Sequence, residues 1–173
     1  MNQITKIKSA LKIYKNFPKQ GVDFVDFLNI FIDPELLELT VDLFVNVLKK
    51  ENINIIIGLE ARGFLLGPLI ALKLKCKFAP IRKKGKLPGK CFQQIYALEY
   101  GEDCVEIQET STKPGENVAI VDDLLATGGT MEAAISLINK TGAKVVKAIT
   151  LIELDSFKGR DKLTASFHSF IHL

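Results

Sequence analysis

The chain has 173 residues, of which 47% are hydrophobic and 25% are charged, and this length and composition are typical of one globular domain. Its formal net charge of +3 is too small to indicate binding to a nucleic acid or to a membrane surface. The three cysteines form no CxxC pair, which argues against a disulfide framework or a zinc site and favours a reducing, cytoplasmic location.

The first third of the chain contains two predicted helices and a strand. An amphipathic stretch over residues 4–14 comes first, and Pro18 and Gly21 follow it as helix breakers. Asp33, Pro34 and Glu35 are typical of a helix start and predict a helix that reaches about Lys50. Residues 53–57 are too few for a helix and too apolar for an exposed edge, so they predict a strand buried on both faces of a parallel sheet.

The remaining elements alternate between strand and helix patterns. We expect helices over residues 62–74 and 129–140, and strands over residues 77–82, 117–121 and 144–153. This order indicates an α/β fold with a mainly parallel central sheet and helices on both faces. Ligands bind at the carboxyl ends of such strands. We therefore look for a site after Leu59, after Arg82 and at Asp122.

The segment from Val118 to Thr130, VAIVDDLLATGGT, combines three features of a ligand site. A buried strand ends in Asp122 and Asp123, a turn of small residues follows, and a helix begins. The backbone N–H groups, the helix dipole and the threonine hydroxyls suit a phosphate dianion. The two carboxylates suit a polyhydroxyl compound or a hydrated magnesium ion. An ordinary βα turn with solvated acids is the alternative, but the coincidence of all three features favours a phosphate site.

Residues 121–130 resemble the ribose-phosphate signature of the type I phosphoribosyltransferases. Four further blocks resemble, in order, those of the adenine-specific branch: FPKQGVDF from Phe17, GLEARGF from Gly58, GKLPG from Gly85 and LEYG from Leu98. The resemblance extends to about Leu163. It implies the type I fold in a single domain over residues 1–173. Residues 1–33 would form an N-terminal helix and a small base-binding hood, and residues 82–101 a mobile lid loop with flanking strands.

The resemblance also implies the activity. The phosphoribosyl group of 5-phosphoribosyl 1-pyrophosphate (PRPP) would pass to adenine, giving AMP and pyrophosphate in purine salvage. Mg²⁺ would be bound mainly through PRPP, and the protein would be a homodimer with no nucleic-acid or membrane partner.

Individual roles follow by position in the resembled blocks. Arg62 would bind pyrophosphate, for which a guanidinium fork is well suited. Lys86, one of five cations between Arg82 and Lys90, would contact pyrophosphate from the lid. Glu99 would manage the proton near N7 of the purine. The remaining acids between Glu99 and Glu109 are expected to be mostly solvated.

The substrate-binding residues divide by the part of the substrate they would hold. The 5-phosphate loop would be Ala126, Thr127, Gly128, Gly129 and Thr130. Asp122 and Asp123 would bind the ribose hydroxyls, or Mg²⁺ through water, with no direct metal ligand expected. The adenine pocket would be Asp23, Phe24, Val25 and Leu154, with Phe24 stacking on the base.

Several alternatives stay open. Phe24 can instead be an ordinary core residue. Many relatives carry a basic residue at the position of Val25 and an apolar one at that of Asp23, so transfer to hypoxanthine, guanine or xanthine is a rival within the same enzyme class. A rival from another class is a non-catalytic PRPP sensor that regulates transcription, although the residues before Phe17 are too few for a winged helix. His168 and His172 lie in a strand-like pattern, and we expect no metal site there because no third ligand accompanies them.

Overall fold

The structure is a computed structural model that describes residues 3–98 and 101–173. The chain divides into two compact units, Met1–Leu43 and Phe44–Leu173. Within the described residues, no helix combines the length and the apolar character that a membrane span requires.

The first unit contains helix α1 (Gln3–Ala10), a hairpin of β1 (Lys12–Tyr14) and β2 (Phe24–Asp26), and the beginning of α2 (Pro34–Leu48). The expected amphipathic stretch over residues 4–14 is split, because its last residues pair with β2 as an antiparallel strand. The predicted start of α2 is confirmed. Asp33 Oδ1 accepts the N–H groups of Glu35 at 3.0 Å and Leu36 at 3.2 Å, as an N-cap residue does.

The second unit contains one seven-stranded sheet in the order β5-β6-β4-β3-β7-β8-β9. Five adjacent strands are parallel, namely β4, β3, β7, β8 and β9, whereas β5 and β6 are antiparallel to their neighbours. The mainly parallel α/β sheet is therefore confirmed. In chain order the elements are β3 (Ile55–Leu59), α3 (Glu60–Leu74), β4 (Lys77–Lys83), β5 (Cys91–Ala97), β6 (Glu102–Gln108), β7 (Asn117–Leu125), α4 (Gly129–Lys140), β8 (Lys144–Glu153) and β9 (Phe167–His172).

The hydrophobic core lies between the central strands and α4. Every residue of β3 is buried, as predicted for a strand covered on both faces. Ile57 of β3 and Ile120 of β7 are in register and join Ile135 and Ile138 of α4 in one buried cluster. This packing holds β7 and α4 in place and so determines the position of the turn between them.

Two boundaries differ from the expectation in ways that affect the site. Strand β7 continues beyond Val121 to Leu125, because β8 runs beside it and pairs Asp122 with Thr150 after β3 has ended. Asp122 and Asp123 are therefore part of the strand. Strand β4, which was expected to end at Arg82, also includes Lys83. Arg82 is in register with Glu106 of β6, and the loop with the other cations begins at Lys84.

Candidate active site

The turn between β7 and α4 has the geometry of an anion site. Gly128 precedes the helix with a left-handed φ of +79°, and no side chain caps that end of α4. The first-turn N–H groups of a helix lack intrahelical partners and carry the positive end of the helix dipole. The structure thus brings Ala126, Thr127, Gly128, Gly129 and Thr130 together in one loop, as the sequence predicted.

A second segment supports this loop by a close backbone approach. The carbonyl oxygen of Gly159 occupies the place of a Cβ on Gly128, and the carbonyl oxygen of Ala126 occupies the place of a Cβ on Gly159. Only glycine fits at either position without displacing the backbone of the other segment. The segment after β8, residues 155–162, is therefore packed directly on the loop.

The segment is anchored by a buried acid at the end of β8. Glu153 is 2% exposed and accepts both a hydrogen bond of 2.6 Å from Nε of Arg160 and one from its Nη2. The hydroxyl of Ser169 also donates to Glu153. The pKa of Glu153 lies below its usual range because of Arg160, and the hydrogen bond from Ser169 adds to this. The paired carboxylate is therefore ionised.

Asp122, which is half-buried, and Asp123, which is buried, form an acid pair at the end of β7. Asp122 Oδ1 accepts the N–H of Asp123 at 2.9 Å. Asp123 Oδ2 lies 3.1 Å from Nη1 of Arg62 and accepts no well-aligned hydrogen bond from the described residues. Burial raises the pKa of Asp122 well above its ordinary value, and the charge of Asp123 raises it further. Burial also raises the pKa of Asp123, although Arg62 counteracts this.

Arg62 lies in the first turn of α3, with 43% of its side chain exposed. The first residue of α3, Glu60, has a left-handed φ of +51°. Its carboxylate accepts the backbone N–H of Lys83 and lies 3.9 Å from Nε of Arg82. The turn that carries Arg62 is thereby tied to β4, the strand that leads into the cationic loop.

The cationic loop between β4 and β5 is held by Glu106 of β6. This residue is 3% exposed, and its Oε1 accepts the N–H groups of Lys86 and Leu87, each at 3.0 Å. Burial raises the pKa of Glu106, but the hydrogen bonds from the N–H groups of the loop outweigh it, so that the net pKa is lowered. The Lys86 side chain itself is exposed.

Glu106 is an exception to the expectation that these acids are mostly solvated. Its apolar neighbours Val105 and Ile107 do not reveal that the loop covers it. Glu99, the acid predicted to act on the base, lies outside the described residues.

The predicted adenine residues lie in different units. In the first unit, Phe24 is partly buried and meets Phe17 edge-on with ring centroids 5.4 Å apart. Asp23 is exposed, and Val25 is buried and pairs with Ile13 of β1. In the second unit, Leu154 follows β8 and donates its N–H to the carbonyl of Leu125 at 2.9 Å. The base pocket remains a prediction.

A cavity of about 700 Å³ opens beside the first turn of α4. It contains Thr127, Gly129 and Thr130 of the predicted phosphate loop. Phe157 and Lys162 also line it and were not predicted, because they come from turns after β8 that no sequence pattern connects with the loop. The full lining among the described residues is Ala97, Leu98, Thr127, Gly129, Thr130, Phe157 and Lys162.

The two histidines of β9 have different surroundings. His168 packs edge-on against Phe170. His172 Nδ1 lies 2.8 Å from Asp155 and 3.8 Å from Glu153, so acidic neighbours that the sequence did not reveal do accompany it. The carboxylate of Glu153 is already bound to Arg160 and Ser169, so the group is a hydrogen-bonded network around the Glu153–Arg160 ion pair at the end of the sheet.

Comparisons with known proteins agree with this geometry. Residues 29–169 match the phosphoribosyl transferase domain family. The chain is 47% identical over 161 residues to adenine phosphoribosyltransferase 1 of Triticum aestivum, covering 93% of this chain and 89% of that protein. It superposes with a TM-score of 0.94 and 44% identity on the Saccharomyces cerevisiae enzyme, solved with adenine and an imino-altritol bisphosphate, covering 97% of this chain and 98% of that one.

A more distant relative has been solved with several small molecules bound. The adenine phosphoribosyltransferase of Trypanosoma brucei, in complex with AMP, pyrophosphate and ribose-5-phosphate, is 30% identical with a TM-score of 0.89, covering 98% of this chain and 79% of that one.

Proposed function

This chain belongs to the adenine phosphoribosyltransferases of the phosphoribosyl transferase domain family, and we propose from this and from its site that it makes AMP for purine salvage. It transfers the phosphoribosyl group of PRPP to adenine and releases pyrophosphate. The observation that carries the proposal is the junction of β7 and α4, where the pair of Asp122 and Asp123, an uncapped helix start and Arg62 meet. These groups complement a phosphorylated sugar.

The reaction is a displacement at the anomeric carbon of the ribose. The bond from this carbon to the pyrophosphate oxygen breaks, and its electron pair leaves with pyrophosphate. A bond to N9 of adenine forms, and the base gives up a proton. Because positive charge develops on the sugar and negative charge on the leaving group, the protein's contribution is to position both substrates and to stabilise these charges.

The residues divide this work as follows in our proposal. The loop from Ala126 to Thr130 binds the 5-phosphate with its N–H groups and hydroxyls. Arg62, half-exposed beside Asp123, turns its guanidinium to pyrophosphate. Lys86 adds charge from the loop whose backbone Glu106 holds, and Glu99 acts on the proton near N7 of the base.

Asp122 and Asp123 bind the ribose hydroxyls. Their oxygens also suit Mg²⁺, because carboxylates and water are the ligands this ion prefers, and Asp123 Oδ2 is buried and accepts no well-aligned hydrogen bond from the described residues. When bound with PRPP, Mg²⁺ supplies positive charge that stabilises the leaving diphosphate. The two aspartates would hold it through its water molecules.

The adenine pocket uses Phe24 for stacking, main-chain groups around Asp23 and Val25 for the edge of the base, and Leu154 for the opposite face. The partly exposed ring of Phe24 supports this role. We further propose that residues 1–173 act as one domain, with residues 1–33 as base-binding hood and residues 82–101 as lid. A homodimer is expected by likeness to the family. The free thiols of Cys76, Cys91 and Cys104 favour a cytoplasmic location.

The test is to offer PRPP and Mg²⁺ with adenine, hypoxanthine, guanine or xanthine separately and to resolve the products by chromatography. We expect AMP from adenine and no nucleotide from the other bases. Formation of IMP, GMP or XMP instead would leave the phosphate site intact and show that the proposed base pocket is wrong. Transfer to another purine is the second candidate function, and the exposed Asp23 is the observation that favours it. Absence of any nucleotide would favour the PRPP sensor.

A further inference from the structure

The hydroxyl of Tyr96 lies between the β5–β6 hairpin and the phosphate loop. Tyr96 is on β5, and its hydroxyl is 3.2 Å from Oγ1 of Thr130 in the first turn of α4. The same hydroxyl is 3.4 Å from Oδ2 of Asp103, its partner in register on β6. The ring packs against the core beside Gly129. Tyr96 is thus the side chain that connects the hairpin with a proposed phosphate ligand.

The number of hydrogens that these groups can donate limits the ways in which Tyr96, Thr130 and Asp103 can be hydrogen-bonded to one another. Asp103 is ionised, because the hydrogen bond from Lys83 at 2.8 Å lowers its pKa and the N–H of Cys104 lowers it further. An ionised carboxylate only accepts hydrogen bonds, whereas each hydroxyl has one hydrogen to donate. When Tyr96 donates to Asp103, Thr130 donates its own hydrogen to Tyr96. When Tyr96 donates to Thr130, the hydrogen of Thr130 is available to a third group.

We propose that Tyr96 is a positioning residue. Its hydroxyl donates to Asp103 in the free protein and turns its hydrogen to Thr130 Oγ1 when substrate binds, so that the Thr130 hydrogen is directed to the 5-phosphate. This inference rests on the proposed function, in which Thr130 binds that phosphate. Without the Tyr96 hydroxyl, Thr130 loses its donor and is free to turn toward a backbone carbonyl, as threonines in helices commonly do. The hairpin that leads to the lid thereby contributes to binding of the 5-phosphate.

The test compares Tyr96→Phe with wild type by steady-state kinetics and by calorimetric binding of ribose 5-phosphate and of pyrophosphate. The loss of one oriented hydrogen bond should raise KM for PRPP and Kd for ribose 5-phosphate roughly three- to tenfold. KM for adenine, kcat and the Kd of pyrophosphate, which carries no 5-phosphate, should change less than about twofold. This split separates positioning from a general loss of structure.

Two further variants complete the experiment. In a Thr130→Val background, Tyr96→Phe should have no additional effect, because the hydroxyl through which it acts is gone. The matched control is Thr112→Val, which removes a hydroxyl–hydroxyl hydrogen bond of 2.9 Å to Thr141 far along the chain from the loop. It should lower thermal stability to a similar extent and leave every binding constant unchanged.

Three results would overturn the inference: unchanged ribose 5-phosphate binding in Tyr96→Phe, an equal loss of pyrophosphate binding, or full additivity with Thr130→Val. Failure of the proposed function is distinguishable, because wild type would then form no AMP. If wild type forms AMP and Tyr96→Phe binds ribose 5-phosphate normally, only the role of Tyr96 is wrong.

Discussion

The acid pair of Asp122 and Asp123 carries a cost in stability that its function explains. Their pKa values are raised by burial, which means that the folded protein binds a proton more tightly than the unfolded chain. Stability therefore decreases as pH rises from the ordinary aspartate range through the raised pKa. Two carboxylates kept together for a sugar and a hydrated cation are destabilising when neither ligand is bound.

We expect Asp122→Asn to be more stable than wild type at neutral pH and nearly inactive. Asparagine keeps an acceptor for the N–H of Asp123 and removes the partly desolvated charge beside it. The midpoint of thermal unfolding should rise by roughly 2–4 °C, the response of a domain of this size to about 1 kcal/mol. The gain should shrink as the pH is lowered, and calorimetric unfolding at several pH values measures this.

Asp103→Asn is the control of opposite sign. Lys83 lowers the pKa of Asp103, so this carboxylate stabilises the fold above its unfolded pKa and loses the effect as pH falls through its folded pKa. This variant should be less stable than wild type at neutral pH. Equal pH profiles for the two variants would contradict the assignment of a raised pKa to the pair at the end of β7.

Single residues were predictable where a local pattern defines them. The phosphate loop and the acid pair are contiguous in sequence, and the type of each residue states its chemistry. Tyr96, Glu106 and Arg160 were not recognised, since their roles depend on partners brought together by the fold. Glu106 acts on a loop some twenty residues before it, and neither its type nor its spacing reveals that the loop will cover it.

Among the elements, the cationic loop depends on one strand residue for its shape. The carboxylate of Glu106 accepts the N–H groups of Lys86 and Leu87, and hydrogen bonds to a charged acceptor are about twice as strong as those to a neutral one. Glu106→Gln should therefore loosen the loop at a cost of about 1 kcal/mol in stability. KM for PRPP should rise roughly three- to tenfold.

Glu109→Gln is the matched control for this prediction. Glu109 is exposed just after β6, and the substitution makes the same change of net charge. Its kinetic constants should equal those of wild type. Because the pKa of Glu106 is lowered, the difference in stability between Glu106→Gln and wild type should disappear as pH falls through that pKa. A difference that persists in acid would mean that the charge of Glu106 is not the cause.

The segment after β8 makes a second prediction at this scale. Arg160→Gln leaves Glu153 buried without its cation, which should cost about 2 kcal/mol, below the range for a fully buried pair because Arg160 is half-exposed. Since Gly159 packs on the phosphate loop, Arg160→Gln should also raise KM for PRPP.

Lys158→Gln, which removes an exposed cation of the same segment, is the control for Arg160→Gln. It should change neither the midpoint of thermal unfolding nor KM for PRPP. If both variants lower the midpoint equally, the loss reflects net charge and not the pair with Glu153.

Element boundaries were predictable where residues typical of an element end coincide with the end of the periodic pattern, as at α2, α4 and β8. The errors lie where pairing with a neighbouring strand overrides local pattern. Residues 12–14 leave the helical pattern to pair with β2, and β7 continues through two aspartates because β8 lies beside it. The β5–β6 hairpin has alternation that is compatible with solvated surface, and only the fold shows it packed on α4.

At the scale of the whole molecule, folding, pH and substrate binding are linked through the acid pair. A ligand that needs ionised carboxylates must drive off the proton that burial helps the pair to retain. Binding of PRPP with Mg²⁺ is then coupled to proton release. The same coupling stabilises the fold, because a ligand that binds only the folded state shifts the unfolding equilibrium.

Proton release can be measured by calorimetric titration of the protein with PRPP and Mg²⁺ in buffers of different ionisation enthalpy, from about pH 5 to about pH 8. The apparent binding enthalpy should depend on the buffer, with release that is largest near the raised pKa and declines at higher pH, where the pair is already ionised. Asp122→Asn should release fewer protons. Ribose 5-phosphate without metal should release fewer protons, because it brings no cation to the carboxylates. A binding enthalpy that is identical in every buffer would show that the pair is already ionised before the substrate binds, and the stabilisation expected for Asp122→Asn would then lose its physical basis as well.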